Sequence, residues 1–116
     1  MTYKNELIID GKIQKDVKLF EEISNFNISA ITGTFLLPDN TVRNRYTFIR
    51  VIYEGDLDEH TINVLQPGNL VRLYGKIDSE QYLAKSGKTV YNKVLKVYKV
   101  NLLEYDPEIG DMKEVI

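Results

Sequence analysis

Apolar and polar residues alternate along most of this chain with a period of two, the spacing of half-buried β-strands. The first such run, Leu7–Ile13 (LIIDGKI), is interrupted by Gly11. A glycine inside a strand marks a bulge or a tight bend at a barrel corner. In residues 25–35 (NFNISAITGTF), Phe26, Ile28 and Ala30 point one way, and Asn25, Asn27 and Ser29 the other. Pro38-Asp39-Asn40 signals a turn. Residues 45–53 (RYTFIRVIY) are rich in β-branched and aromatic side chains and predict a third strand. Between Asp56 and Gln66 the period lengthens: Leu57, Thr61, Val64 and Leu65 recur at helical spacing. Asp56 is the expected N-cap, with Glu59 three residues later, and Pro67-Gly68 ends the helix. Residues 70–77 predict a fourth strand, with Val71, Leu73, Gly75 and Ile77 on one face and Arg72, Tyr74 and Lys76 on the other. Ser86-Gly87-Lys88 reads as a hairpin tip, and residues 89–103 as a long final strand. Phe26 and Tyr53 are the first aromatic candidates for the core.

Five short strands, with one helix between the third and fourth, is the element order of an OB-fold, a mostly-β, five-stranded Greek-key barrel. The chain has 116 residues and a mass of 13.4 kDa, which predicts a single domain. Residues 1–104 would form that domain. Residues 105–116 are polar and acidic, carry Pro107 and Gly110, and read as a short exposed tail. Cysteine is absent, which excludes disulfides, thiolate zinc sites and thiol nucleophiles. The single histidine, His60, falls within the predicted helix, the serines lack a base partner, and no phosphate-binding glycine loop occurs. No enzyme, metal site or cofactor is expected. The start, MTYKNELIID, has no basic segment followed by an apolar one, and no apolar run approaches the ~18 residues of a membrane span. A soluble cytoplasmic protein with no membrane partner is predicted.

Charge changes this picture through its distribution. The net charge is only −2. Yet residues 84–101 contain no acid and carry Lys85, Lys88, Lys93, Lys96 and Lys99, and residues 42–53 contain no acid and carry Arg43, Arg45 and Arg50. The acids concentrate in residues 54–59 and 104–114. Segregation of this kind gives one positive face to a slightly acidic molecule. Aromatic residues are interleaved with the cations: Tyr74 between Arg72 and Lys76, Tyr82 near Lys85 and Lys88, Tyr91 before Lys93, and Tyr46 with Phe48 between Arg45 and Arg50. Binding single strands with little sequence preference needs flat rings for bases and cations for phosphates, each stack being worth about 1–3 kcal/mol. Alternation sends every second ring into a core instead.

With those residues in view, residues 5–103 resemble the bacterial and phage single-stranded DNA-binding protein family. NELIIDGKIQKDVKL is similar to its first strand, SNFNISAIT to its second, YTFIRVIYEG to its third, VLQPGNLVRLYGKI to its helix end and fourth strand, and SEQYLAKSGKTVYNKVLKVYKV to its long hairpin and last strand. The short length, without a Gly/Gln-rich linker, looks like a phage-encoded member acting in the host cytoplasm. The resemblance implies an OB-fold that binds and protects single-stranded DNA in replication, recombination and repair. It also implies a homo-oligomer, a tetramer first and a dimer second. The family's stacking aromatics fall on Tyr82, on Phe48 with Tyr46 beside it, and near Phe35. Tyr74 and Tyr91 join them from the interleaving, with Arg45, Arg50, Arg72, Lys76, Lys85, Lys88, Lys93 and Lys96 for phosphates. The chain departs from the family in having no tryptophan, in carrying Glu54 where an aromatic is usual, and in lacking a Pro-Phe end to its acidic tail. That tail is a candidate contact for replication or recombination proteins. Two other readings remain: an OB-fold assembly subunit of the primosome-adaptor kind, and a single-stranded RNA binder.

Overall fold

The alternating segments become strands whose inward residues build one core. The computed structural model describes residues 4–20 and 23–116. In chain order it contains β1 (Leu7–Ile13), β2 (Ser24–Leu36), β3 (Val42–Tyr53), α1 (Glu59–Val64), β4 (Leu70–Leu83), β5 (Thr89–Asp106) and β6 (Asp111–Val115). The strands lie in the order β3-β2-β1-β4-β5-β6, and a parallel pairing of β3 with β5 closes the first five into a barrel. This is the OB-fold the element order predicts. No helix among the described residues is long and apolar enough to cross a membrane.

Phe26 and Ile28 from β2, Val51 and Tyr53 from β3, Leu73 from β4 and Leu95 from β5 meet inside the barrel. Each fully buried aliphatic or aromatic side chain contributes roughly 1.5–3 kcal/mol. Gly11 sits where β1 leaves its partner β4 for β2, which it pairs only through Lys12 and Ile13. A Cβ there would lie 2.8 Å from Ile28 Cδ1 and 3.0 Å from the Ser29 carbonyl oxygen, so the missing side chain is what lets the strands cross closely.

The helix is shorter than its periodicity predicts, and its cap is Asp58 rather than Asp56. The Asp58 carboxylate accepts the Thr61 N–H at 2.7 Å, which holds its pKa below the usual carboxylate range. The Asp56 carbonyl is occupied by the Tyr53 hydroxyl at 3.2 Å, anchoring the chain before the helix begins. Thr61 and Val64 are buried, followed by Leu65, and Leu57 packs against the same core, as the spacing predicts.

Two hairpins outgrow the barrel. β4 continues six residues past Ile77 and pairs with β5 out to Leu83↔Thr89. Residues 78–83 lack alternation because both faces of this arm are solvated. The second arm is formed by β2 and β3 beyond Ala30, where the strands pair only with each other. A bulge lies at its root: Ile31 pairs with Tyr46, but Gly33 pairs with Arg45, leaving Thr32 over. One extra residue moves every later side chain of that strand to the opposite face.

The expected exposed tail is not a tail. β5 runs to Asp106, the chain turns, and β6 pairs back along it from Asp106↔Asp111 to Leu102↔Val115. Asp106 makes this turn: its carbonyl accepts the Gly110 N–H and its carboxylate the Glu108 N–H, each at 2.9 Å. Pro107 and Gly110 are therefore turn residues of a hairpin, and Glu114 is fixed on the outer face by Tyr74 and Asn101.

Candidate nucleic-acid interface

On the outer face of β1, β2 and β3, outward positions alternate with core positions. Ser29 pairs with both Lys12 and Phe48, and Ile31 with Tyr46, so these side chains share one surface. A depression of about 600 Å³ is lined there by Lys12, Gln14, Lys15, Ser29, Tyr46 and Phe48. A second, of about 400 Å³, shares Lys12, Ser29 and Tyr46 and continues over Leu70 to Leu103 and Met112. Together they make one groove across the barrel. Tyr46 is 56% and Phe48 69% exposed, and among the described residues no cation lies over either ring. Among the described residues neither Lys12 nor Lys15 is in an ion pair, while Asp10 nearby is held by Arg72 in a fork with 2.7 and 2.9 Å contacts. The groove thus combines open rings with uncompensated cations.

Tyr82 belongs to the same surface through the β4–β5 arm. It shares a face with Glu80 and Asp78, because Tyr82 pairs with Val90, Glu80 with Asn92 and Asp78 with Val94. Arg50, on the outer face of β3 beside Phe48, places Nε 2.7 Å from Glu80 and donates from Nη1 to Asn25 at 3.3 Å. That ion pair ties the arm to β3, and Tyr82, 52% exposed, stands next to Glu80 along the same face of the arm.

Other site residues expected from the sequence fall elsewhere. Phe35 lies beyond the Thr32 bulge and pairs with Arg43 on the face opposite Tyr46 and Phe48, and Arg45 stacks over its ring at 5.6 Å. Tyr91 and Lys93 pair with Gln81 and Ser79, on the opposite face of their arm from Tyr82. Lys85 and Lys88 are exposed at the arm's tip, where Gly87 adopts φ 84°. Tyr74 faces outward but is already engaged: its hydroxyl donates to Glu114, and the Lys99 ammonium lies 4.8 Å from its ring centroid. The Glu114 hydrogen bond keeps the tyrosine protonated above its usual range and holds Glu114 below its own. Lys96 is paired with Asp78 at 3.1 Å and with Glu54 at 3.7 Å, Asp78 being the main cause of its raised basicity. Lys76 is exposed beside it. These are exposed pairs and individually weak, so a phosphate competing for Arg50, Arg72 or Lys96 displaces little.

Lys12, Lys15, Gln14 and Ser29 were not singled out from the sequence. The first-strand pattern carried the signal: Lys12 stands at an outward position, and OB-folds use the neighbouring β1–β2 loop for ligands.

The closed five-stranded barrel and its aromatic, cationic groove define an OB-fold with a surface suited to single strands. No protein-family model matches the chain. It is 28% identical over 105 residues to the single-stranded DNA-binding protein of Clostridium tetani, an alignment covering 87% of this chain and 71% of that one. Among solved structures, the Plasmodium falciparum SSB in complex with ssDNA superposes with a TM-score of 0.69 at 10% identity, covering 90% of this chain and 98% of the other. A small single-stranded DNA-binding protein from Streptomyces coelicolor superposes with a TM-score of 0.62, also at 10% identity, over 94% and 100%. The structural likeness establishes the shared OB-fold. All three proteins are named for binding single-stranded DNA rather than for catalysis.

Proposed function

We propose that this chain binds single-stranded DNA without sequence preference, by stacking bases on Tyr46, Phe48 and Tyr82 and contacting phosphates through Lys12, Lys15 and Arg50. The observation that carries this reading is the exposure of Tyr46 and Phe48 beside Lys12 and Lys15 in one groove. Two open rings side by side with unpaired cations form a contiguous patch, and every base has a face to cover it. The similarity to proteins named for single-stranded DNA binding supports the same ligand. In this role the protein coats DNA opened in replication, recombination and repair. It does so as a homo-oligomer, in the cytoplasm of a host bacterium if phage-encoded. The acidic β5–β6 hairpin takes the place of the expected tail as a surface for partner proteins.

A fluorescence titration with dT oligomers of graded length, at two salt concentrations, tests the reading. Binding is expected to saturate within about 4–16 nucleotides per barrel. Log K should fall against log salt with a slope of about −0.7 per phosphate contacted. Binding that ignores salt, or preference for a matched RNA oligomer, counts against it.

A further inference from the structure

The sheet has two edges, and they carry opposite charge. One edge is β3. It pairs with β5 only at residues 51–53, so residues 42–49 bond to β2 and have an unpaired outer side among the described residues. Neither β2 nor β3 contains an acid, and Arg43 and Arg45 stand exposed along this edge. The other edge is β6, which pairs with β5 alone. Here Glu104, Glu108 and Asp111 are exposed, while the one lysine, Lys113, is held by Asp106 at 3.4 Å.

The candidate groove connects the two edges. It starts at Tyr46 on β3, crosses Ser29 and Lys12, passes Leu70 and Leu103, and ends at Met112 on β6. A DNA strand lying in it leaves one copy at a cationic edge and reaches the next copy at an acidic one. We infer that copies bound to one DNA strand stand head to tail, with the β6 edge of one docked against the β3 edge of its neighbour. This deepens the single-strand-binding reading and rests on it.

Charged side chains on exposed edges ordinarily prevent unwanted pairing. Here the two edges bear opposite signs, so β3 against β3 and β6 against β6 repel, and only the mixed contact is favourable. A contact between two different surfaces does not close on itself, and repeats along a line. Exposed ion pairs are individually weak, which leaves the free protein unpolymerised. On a shared strand the contact becomes intramolecular and its weakness is offset by effective concentration.

The test combines Glu108→Lys with Asp111→Lys; neither residue lines the groove, and the turn itself is made by Asp106. Affinity for a dT oligomer that holds one copy, within about 4–16 nucleotides, should be unchanged or tighter. Cooperativity on long poly-dT should fall about tenfold, the scale of two exposed ion pairs. Adding Arg43→Glu to the same chain should recover part of the loss, because it replaces one like-charge contact with an attractive one and leaves Arg45 as the only cation on that edge. A hairpin variant as cooperative as its parent, or a loss that Arg43→Glu does not reverse, overturns the head-to-tail contact. A parent protein that fails to bind the short oligomer overturns the binding reading instead.

Discussion

Phe48 and Tyr74 are both aromatic residues on the outer face of the sheet, and they differ in what already touches their rings. Lys99 lies over the Tyr74 ring, whose hydroxyl is fixed by Glu114, whereas among the described residues no cation lies over Phe48. Stacking needs an unoccupied face, so the two residues diverge in role although each sits between basic residues in the sequence. Replacing Phe48 with alanine should weaken dT binding by about 1–3 kcal/mol, roughly five- to 150-fold, with little change in melting temperature because the ring is not in the core. An unchanged affinity in the same titration would remove Phe48 from the site. Neighbourhood along the chain identified the aromatic and cationic residue types but not their freedom. That depends on Glu114 and Asp10, which lie 40 and 62 residues away from their partners Tyr74 and Arg72.

Among the elements, β6 and the β2–β3 arm depart most from the sequence reading, each for a local reason. The last dozen residues are polar enough to read as a tail, yet a five-residue strand laid along an existing edge needs little apolar burial. Its backbone is paired by β5, and Asn101 and Tyr74 fix Glu114. Those hydrogen bonds favour the ionised carboxylate, so its folded-state pKa is depressed below the ordinary 4.5. A depressed carboxylate contributes stability that is fully present above its ordinary pKa and is lost as pH falls through the lowered one. Melting temperature followed from neutral pH to about pH 3 should therefore drop less steeply below the ordinary carboxylate range in Glu114→Gln than in the parent, Asp58 and Asp78 being common to both. Parallel curves would show that Glu114 does not anchor β6. In the arm, strict alternation puts Phe35 on the face of Asn27 and Ser29. The bulge at Thr32 reverses it, and nothing in NISAITGTF other than Gly33 hints at the extra residue.

For the molecule as a whole, function depends on barrel closure, since the groove exists only while β1, β2 and β3 are curled against β4 and β5. Gly75 is critical there. A Cβ at this position would overlap the Lys96 carbonyl oxygen and come within 2.8 Å of Val97 Cα, both backbone atoms that no rotamer change can move. Gly75→Ala should cost about 1–3 kcal/mol or more, lowering the melting temperature by on the order of 10 °C. A loss of only a degree or two would mean that the β4–β5 crossing is pliable. Gly75 and its neighbours also show how far the residue pattern reaches. Period-two alternation, the helical break at residues 57–65 and the turn signals determine the strands, their inward faces and hence the OB-fold, because burying one face of each strand is a local property repeated along the chain. Which rings stay open, which cations are left unpaired, and that Lys12 joins Tyr46 and Phe48 in one groove are settled by strand register, a bulge and the folding back of β6. Those are relations between residues distant in the chain, and a pattern of neighbours does not carry them.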